Sequence, residues 1–361
     1  MENTITHTQL QDEFRDCLKV GLVPYVRSSP GIGKSDAAHK FAQRADLKVI
    51  DLRLSQCTPE DLQGFPMRDG DKAVFTPFDL FPLAGEELPA KLDSDGNEVI
   101  SKKTNKPVRY NGWLLLLDEL SSANKAVQAA AYKIVLDRQV GSFALHDDCH
   151  IIACGNKITD KAVVHKMSTA LQSRLIHYEL AVSTKDWVDW AIQAGIDFRI
   201  TAFVQFNQAM LMNFTADHTD HTYACPRTWE FLSRMIKDRP ISRTDDLAKV
   251  AGTVGSAAGF EFLTFCEVQK DIPNWSDVLD PVLNLKIGIP SEASARFATV
   301  CWAASRIKKG EVEAIIPFMK RFGADLQVIF CRGIIARFNN IDREVPAFGE
   351  YALGTIVRDH I

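Results

Sequence analysis

Between residues 20 and 180 the chain alternates short, nearly uninterrupted apolar runs with stretches whose apolar residues fall three or four apart. The runs VPYV (23–26), LKVIDLRL (47–54), WLLLL (113–117), HIIAC (150–154) and LIHYEL (175–180) have the length and composition of strands. KSDAAHKFAQRA (34–45) and NKAVQAAAYKIVLDR (124–138), Ala-rich and periodic, read as helices. Apolar strands separated by helices predict a parallel sheet covered on both faces. Two departures interrupt this pattern. Residues 63–84 carry turn signals at Gly64-Phe65-Pro66 and Asp69-Gly70-Asp71, and a polar insert over about 90–112, centred on Asp95-Gly96-Asn97, reads as a β-hairpin. Past residue 180 the strand-like runs stop. DWVDWAIQAG (186–195), ITAFVQFNQAMLMNF (200–214) and RTWEFLSRMIK (227–237) have helical spacing, and the remainder to 361 is helix-like with Pro and Gly punctuation. Trp187, Trp190, Phe203, Phe206 and Phe214 sit at core-type positions on these helices.

The length of 361 residues fits two domains or a little more at ~150 residues each. We read 1–182 as an α/β domain, 183–240 as a helical lid and 241–361 as a helical C-terminal region. Lys and Arg number 42 against 46 Asp and Glu, a net charge of −4, which gives no support to a dedicated nucleic-acid or membrane-surface binder and leaves a local basic patch open. Lys102, Lys103, Lys106 and Arg109 on the polar insert could touch a phosphate backbone or an acidic partner, but a solvated hairpin whose Lys residues guard its edge is the favoured reading. No apolar run approaches the ~18 residues of a membrane span, and the first twenty residues predict no signal peptide. Eight cysteines stand singly, without a C-x-x-C pair, so reduced thiols and a cytoplasmic location are expected. His146, His150, His218 and His221 lack the spacing of a tetrahedral metal site and read as turn residues.

The most specific local signal is Ser28-Ser29-Pro30-Gly31-Ile32-Gly33-Lys34-Ser35, between a strand-like run and a helix. Small residues here let backbone N–H groups curl around a phosphate at a helix N-terminus, where the dipole favours negative charge. Ser29, Pro30, Gly31, Ile32 and Gly33 would form the cradle, Lys34 would reach the β- and γ-phosphates, and the Ser35 hydroxyl would ligate Mg²⁺. Ser28 stands where the G-x-x-x-x-G-K-[ST] pattern has Gly. A second acidic element, Trp113-Leu114-Leu115-Leu116-Leu117-Asp118-Glu119, ends a buried-type strand in two carboxylates. Asp118 would hold Mg²⁺, and Glu119 would act as general base on the attacking water.

These motifs, in this order, resemble the AAA+ ATPase superfamily over about residues 20–240, and within it the MoxR-like branch. Ile151-Ile152-Ala153-Cys154-Gly155-Asn156 is similar to the sensor-1 strand, with Asn156 orienting the lytic water. Ala170-Leu171-Gln172-Ser173-Arg174-Leu175 is similar to the arginine-finger segment, although Leu175 replaces the usual aromatic; Arg174 would then serve a neighbouring subunit's nucleotide. Cys225-Pro226-Arg227-Thr228-Trp229 is similar to sensor 2, with Arg227 reaching the γ-phosphate of its own subunit. Two further stretches favour the MoxR-like branch: residues 55–64, SQCTPEDLQG, and residues 125–130, KAVQAA.

The resemblance implies a P-loop AAA+ α/β domain with a five-stranded parallel sheet, followed by a helical lid and an all-α C-terminal region. It also implies ATP and Mg²⁺ as ligands and a homo-oligomeric ring, usually a hexamer. MoxR-like proteins act as chaperones that remodel partner complexes, often with a von Willebrand factor A domain protein. Two other functions fit the same residues: a nucleic-acid motor or helicase loader, and a non-hydrolysing ATP-dependent switch or scaffold. From about residue 242 onward no motif is recognised.

Overall fold

The computed structural model describes residues 4–160, 165–217, 220–267 and 272–358. His218 lies outside these described residues. They form two compact units, Met1–Ala181 and Val182–Ile361.

The first unit is built on strands β1 (Thr4–Ile5), β2 (Val23–Ser28), β3 (Lys48–Arg53), β4 (Phe65–Asp69), β5 (Lys72–Thr76), β6 (Trp113–Asp118), β7 (Gln139–Val140), β8 (Phe143–Ala144), β9 (Cys149–Asn156) and β10 (Leu175–Leu180). Its helices are α1 (His7–Lys19), α2 (Lys34–Ala45), α3 (Pro59–Gln63), α4 (Lys125–Asp137) and the single turn α5 (Thr169–Gln172). The main sheet has the order β1-β10-β2-β9-β6-β3, and all of its pairings are parallel. All five apolar runs of the sequence are in it. The sixth strand, β1, is a two-residue edge addition held by Thr4 opposite Glu179, too short to leave an apolar signature.

Both faces of the sheet are covered, which explains why its strands lack polar alternation. Leu115, Leu117, Ile151 and Ala153 point into the core shared with Val127, Ala131 and Ile134 of α4. Leu114, Leu116, Ile152 and Cys154 are equally buried on the other face, where α1 and α2 pack on β2, β6 and β9. Helix α1 starts at a reciprocal cap, the Thr6 hydroxyl accepting from Gln9 N and the Gln9 side chain accepting from Thr6 N. Asn124 caps α4 by accepting from the N–H groups of Ala126 and Val127, both at 3.0 Å.

The two irregular stretches take different forms. Residues 65–76 make the exposed hairpin β4–β5, with Gly70 left-handed at its turn. Glycine is required at its foot: a Cβ on Gly64 would lie 2.3 Å from the Thr76 carbonyl oxygen. The insert at 90–112 is not the simple hairpin expected. Lys91 N donates to Val108 O, Val108 N to Val99 O, and Val99 N to Lys91 O, each at 2.8 Å, so three short segments close on one another as a knob. The Asp93 carboxylate accepts from Asp95 N and Asn97 N and makes the first turn; a second turn, with Asn105 left-handed, brings the chain back. Arg109 is committed within the unit, to Glu87 and to the Leu88 carbonyl, while Lys102, Lys103 and Lys106 are exposed.

The second unit is all helical: α6 (Thr184–Gln193), α7 (Phe198–Phe206), α8 (Pro226–Ile236), α9 (Arg243–Val254), α10 (Ser256–Glu267), α11 (Trp275–Leu279), α12 (Ala293–Arg306), α13 (Val312–Met319), α14 (Ala324–Arg337), α15 (Ile341–Glu344) and α16 (Pro346–Arg358). One core gathers around Phe203, Trp229 and Phe262, whose ring centroids are mutually 5.6 Å apart. The other gathers around Phe318, Phe330 and Phe348. Among the aromatics expected in the core, Trp187 and Phe203 are buried, but Phe206 is 49% exposed. The helix expected over 200–214 ends at Phe206, and residues 208–211 form a 3₁₀ turn whose Met210 carbonyl accepts from Trp229 Nε1 at 2.9 Å. Burying the indole N–H requires that acceptor, and the turn supplies it. No helix of the described residues is long and apolar enough to cross a membrane.

Two outcomes are expected. Leu115→Ala, at a site with no solvent exposure, should lower unfolding free energy by about 2–5 kcal/mol in denaturant melts. Asp246, nearly buried, accepts from Arg239, Lys249 and the Ser242 N–H, and these hold its carboxyl far below the ordinary range despite burial. The unfolded chain therefore takes up this proton first. The stabilisation is complete above the unfolded value of about pH 4 and is lost as pH falls toward the folded value. Asp246→Asn should flatten the acid limb of a stability-versus-pH curve, and an unchanged limb would refute this.

Candidate functional site

Strand β2 ends at the wholly buried Ser28, paired with Asn156 at the end of β9. The chain then turns through Ser29-Pro30-Gly31-Ile32 and enters α2 at Lys34. Gly31 (φ 80°) and Gly33 (φ 102°) both occupy the left-handed region, which only glycine adopts freely, and this lets so short a loop reverse direction. Gly33 caps α2 without a side chain, so the helix presents its first-turn N–H groups and its positive dipole end. Ser28 is not left-handed. It needs no glycine geometry, and its hydroxyl donates to the Ser29 carbonyl at 2.9 Å and accepts from Lys34 Nζ at 3.1 Å.

Lys34 is buried, with its ammonium among strand ends: it donates to Ser28 O (3.2 Å), Ser29 O (3.4 Å) and Asn156 Oδ1 (3.1 Å). Ser35 Oγ donates to Asp118 Oδ2 at 2.5 Å, linking α2 to the end of β6. Asp118 uses its other oxygen to accept from Glu119 N at 2.8 Å. Lys34, Ser35, Asp118, Glu119 and Asn156, drawn from three segments, thus meet at the carboxyl end of the sheet, where ligands of open α/β sheets bind.

Glu119 is a non-glycine residue in the left-handed region, φ 57° and ψ 29°, a conformation costing of order 1–3 kcal/mol that clusters at functional sites. The bond to Asp118 holds it there, as do the N–H groups of Ser122 and Ala123, which donate to its carbonyl. This backbone turns the Glu119 carboxylate to Ser55, whose hydroxyl donates to Oε2. Ser55 is in the turn after β3, brought level by the register that pairs Arg53 with Asp118.

Two supporting residues also come from a distance. Ser121 Oγ accepts from Asn156 N (2.8 Å) and donates to Asn156 O (3.3 Å), fixing the backbone of the residue that accepts from Lys34. Buried Gln128 donates through its amide to the carbonyls of Leu120, Ala123 and His165, tying down the loop after β6. Sequence reading assigned these roles to neither residue, nor to Ser55, although Ser55 and Gln128 stand in the two branch-like stretches. Burial pushes the Tyr25 hydroxyl and the Cys154 thiol up from their ordinary values, so both stay neutral, and Cys154 is no nucleophile at neutral pH.

Arg174 lies elsewhere. It directly precedes Leu175, which pairs with Val23 at the start of β2, whereas the glycine loop follows Ser28 at its end. Five residues of strand separate the two levels, ~16 Å at ~3.3 Å per residue. The exposed guanidinium donates to Ala170 O (3.2 Å) and Ser173 Oγ (2.8 Å) and lies over the Tyr132 ring. Arg227 belongs to the second unit, exposed on the first turn of α8.

The donor set fits a magnesium–phosphate ligand. Ser35 Oγ and Asp118 Oδ2 are hard oxygen donors already in contact, and no group of three or more His, Cys, Asp or Glu among the described residues could hold a metal alone. Mg²⁺ characteristically takes one or two carboxylates and completes its shell with phosphate oxygens and water.

No family model matches the sequence, and neither does any curated protein. Among solved structures, the chain is similar to the Thermotoga maritima RuvB Holliday junction branch migration motor. Identity is 15%, over 85% of this chain and 87% of that one, with a TM-score of 0.36. A mutant of the same motor gives 14%, 85%, 88% and 0.39. A Cytophaga hutchinsonii protein provisionally called an ATPase gives 12% identity over 96% of this chain and 88% of that one, with a TM-score of 0.34. Likeness at this level assigns neither activity nor partner.

The Asn156 anchor is directly testable. A Cβ on Gly155 would lie 2.3 Å from the Tyr25 hydroxyl and 2.7 Å from Ser121 Oγ. Gly155→Ala should therefore cost roughly 1–3 kcal/mol of stability in thermal or denaturant melts. A fully stable variant would mean that the Ser121 clamp is dispensable.

Proposed function

We propose that the chain is an ATPase of the AAA+ type, active as a ring oligomer in which Arg174 of one copy completes the phosphate site of the next. The observation that carries this reading is a spatial split. Lys34, Ser35, Asp118, Glu119 and Asn156 converge at the carboxyl edge of the sheet, while Arg174 is held by strand register at its amino edge. An arginine so far from its own phosphate site is placed as an arginine serving a neighbouring copy would need to be, which supports the trans assignment.

In this reading the first turn of α2 and Lys34 bind the β- and γ-phosphates, and Ser35 and Asp118 hold Mg²⁺. When bound, Mg²⁺ supplies positive charge to the phosphate oxygens. Glu119 accepts the proton of the attacking water, and Ser55 holds the carboxylate in place for it. Asn156, anchored by Ser121, orients that water. Arg174 of the neighbour stabilises charge that develops at the transferred phosphate. Arg227 is assigned to the γ-phosphate on its sequence motif alone.

A remodelling role on a partner complex, possession of a von Willebrand factor A domain client, hexameric stoichiometry and the MoxR-like branch all rest on the sequence resemblance. A nucleic-acid motor is the second reading, favoured by the exposed Lys102, Lys103 and Lys106 on the knob. ATPase stimulation by single-stranded DNA, lost on changing these three to Glu, would select it.

Lys34→Ala should abolish ATP binding, and Glu119→Gln should bind ATP with turnover reduced about 10²–10⁴-fold. Arg174→Ala should keep nucleotide affinity but lose about 10³-fold or more in kcat. Mixing Arg174→Ala with Glu119→Gln protein should restore part of the activity, because an intact Glu119 then meets an intact Arg174 at some interfaces. A monomer fully active at high dilution would refute the trans assignment.

A further inference from the structure

The second unit contains a cavity of about 890 Å³ among α6, α7, α12, α14 and the segment after α8. Seven cationic side chains line it against three carboxylates, in a chain whose net charge is −4. Two of the cations are spoken for. Arg199 is clamped by Asp197 through Nε (2.9 Å) and one terminal nitrogen (2.7 Å) and donates to the carbonyls of Ile236 and Arg239; Arg239 pairs with Asp246. The other five, Lys185, Lys237, Arg306, Arg332 and Arg337, have no ion-pair partner among the described residues. They face only Asp189 and Asp238 as lining acids that remain unpaired.

Three of the five are held by contacts that do not neutralise them. Arg306 lies 5.6 Å from the Trp275 ring centroid and 6.0 Å from that of Trp302. Lys237 donates to the Gly195 carbonyl at 2.7 Å. Arg337 donates to the Ala304 carbonyl, and burial pulls its guanidinium below its ordinary value. Lys185, Lys237, Arg306 and Arg332 are exposed, and Arg337 is half-buried. Like charges gathered on one wall repel one another, water and salt screen part of that repulsion, and a bound anion relieves the remainder. The cavity also has an apolar side formed by Val188, Ile192, Phe297 and Ile329.

We propose that this cavity is a binding site for an organic phosphate of nucleotide size, its anionic head held by Arg306, Arg332, Arg337 and Lys185 and its uncharged body laid against Phe297, Ile329 and Val188. A phosphate concentrates charge in the space that several guanidiniums can reach, and the planar fork of arginine matches its oxygens. The volume lies within the range of small-molecule sites, whereas an acidic peptide would spread its charge along a groove. The site shares no residue with the glycine loop and does not depend on the ATPase reading.

The test is equilibrium dialysis on the full chain carrying Lys34→Ala, which removes the contribution of the glycine loop. The probes are AMP, ribose 5-phosphate and inorganic phosphate. AMP should bind saturably at one equivalent per chain, more tightly than ribose 5-phosphate and far more tightly than inorganic phosphate. Lys185→Glu with Arg332→Glu, both at exposed positions, should weaken AMP at least about tenfold with the thermal midpoint kept. If that double variant unfolds, Arg332→Gln alone provides the comparison and should weaken AMP in the same direction. Absence of saturable binding of any probe, or affinity indifferent to these substitutions, overturns the proposal. Equal affinity for all three probes overturns the assignment of an organic body. Saturable binding of poly-glutamate in place of AMP would identify the site as a peptide groove.

Discussion

The hydrogen bond from Ser35 Oγ to Asp118 Oδ2 spans 2.5 Å and joins two segments 83 residues apart. It can form only because β2 and β6 are parallel strands flanking β9 in one sheet, so that the helix leaving β2 and the acid ending β6 emerge at the same edge. The rest of the site depends on that edge. Asp118 uses its second oxygen to steady a strained Glu119, and the residue ending β9 accepts from the same loop's lysine. Apolar side chains on both faces of β6 keep the edge in register, since each of Leu114, Leu115, Leu116 and Leu117 is fully buried.

Short polar side chains of the supporting layer translate this register into orientation. Ser55, Ser121 and Gln128 carry no charge and make no contact with a phosphate in the proposed mechanism. Each fixes a backbone or a carboxylate: Ser55 that of Glu119, Ser121 that of Asn156, and Gln128 the loop after β6. Gly155 belongs to the same layer, because any side chain there would displace the hydroxyls of Tyr25 and Ser121. The preorganisation such a layer provides is what electrostatic and general-base catalysis need.

The two units use charge differently. In the first, the charged groups of the candidate site are hydrogen-bonded at close range: Lys34 sits among carbonyls and an amide oxygen, and each oxygen of Asp118 accepts one hydrogen bond. In the second, a buried Asp197–Arg199 pair and the Asp246 cluster are internally complete, while five cations on the cavity wall are not. Satisfied pairs read as architecture; the unmatched set is what the proposed anion site rests on.

The alternation of apolar runs with helical stretches was enough to determine the parallel α/β unit, the change to helices after residue 180, and the glycine loop with its lysine and serine. These are local signals, carried by neighbours in the chain, and backbone preference and burial act on neighbours directly. The acidic pair ending β6 was legible for the same reason. Tertiary structure alone decided that residues 90–112 close as a three-way knob rather than a hairpin, that Phe206 is exposed, and that Ser55 meets Glu119 across 64 positions. It also decided which edge Arg174 occupies, through the register of the adjacent Leu175 against Val23, and gathered cations from residues 185 to 337 around one cavity. Such juxtapositions depend on how strands pair and helices pack, and pairing over long separations leaves no periodic trace in the residues themselves.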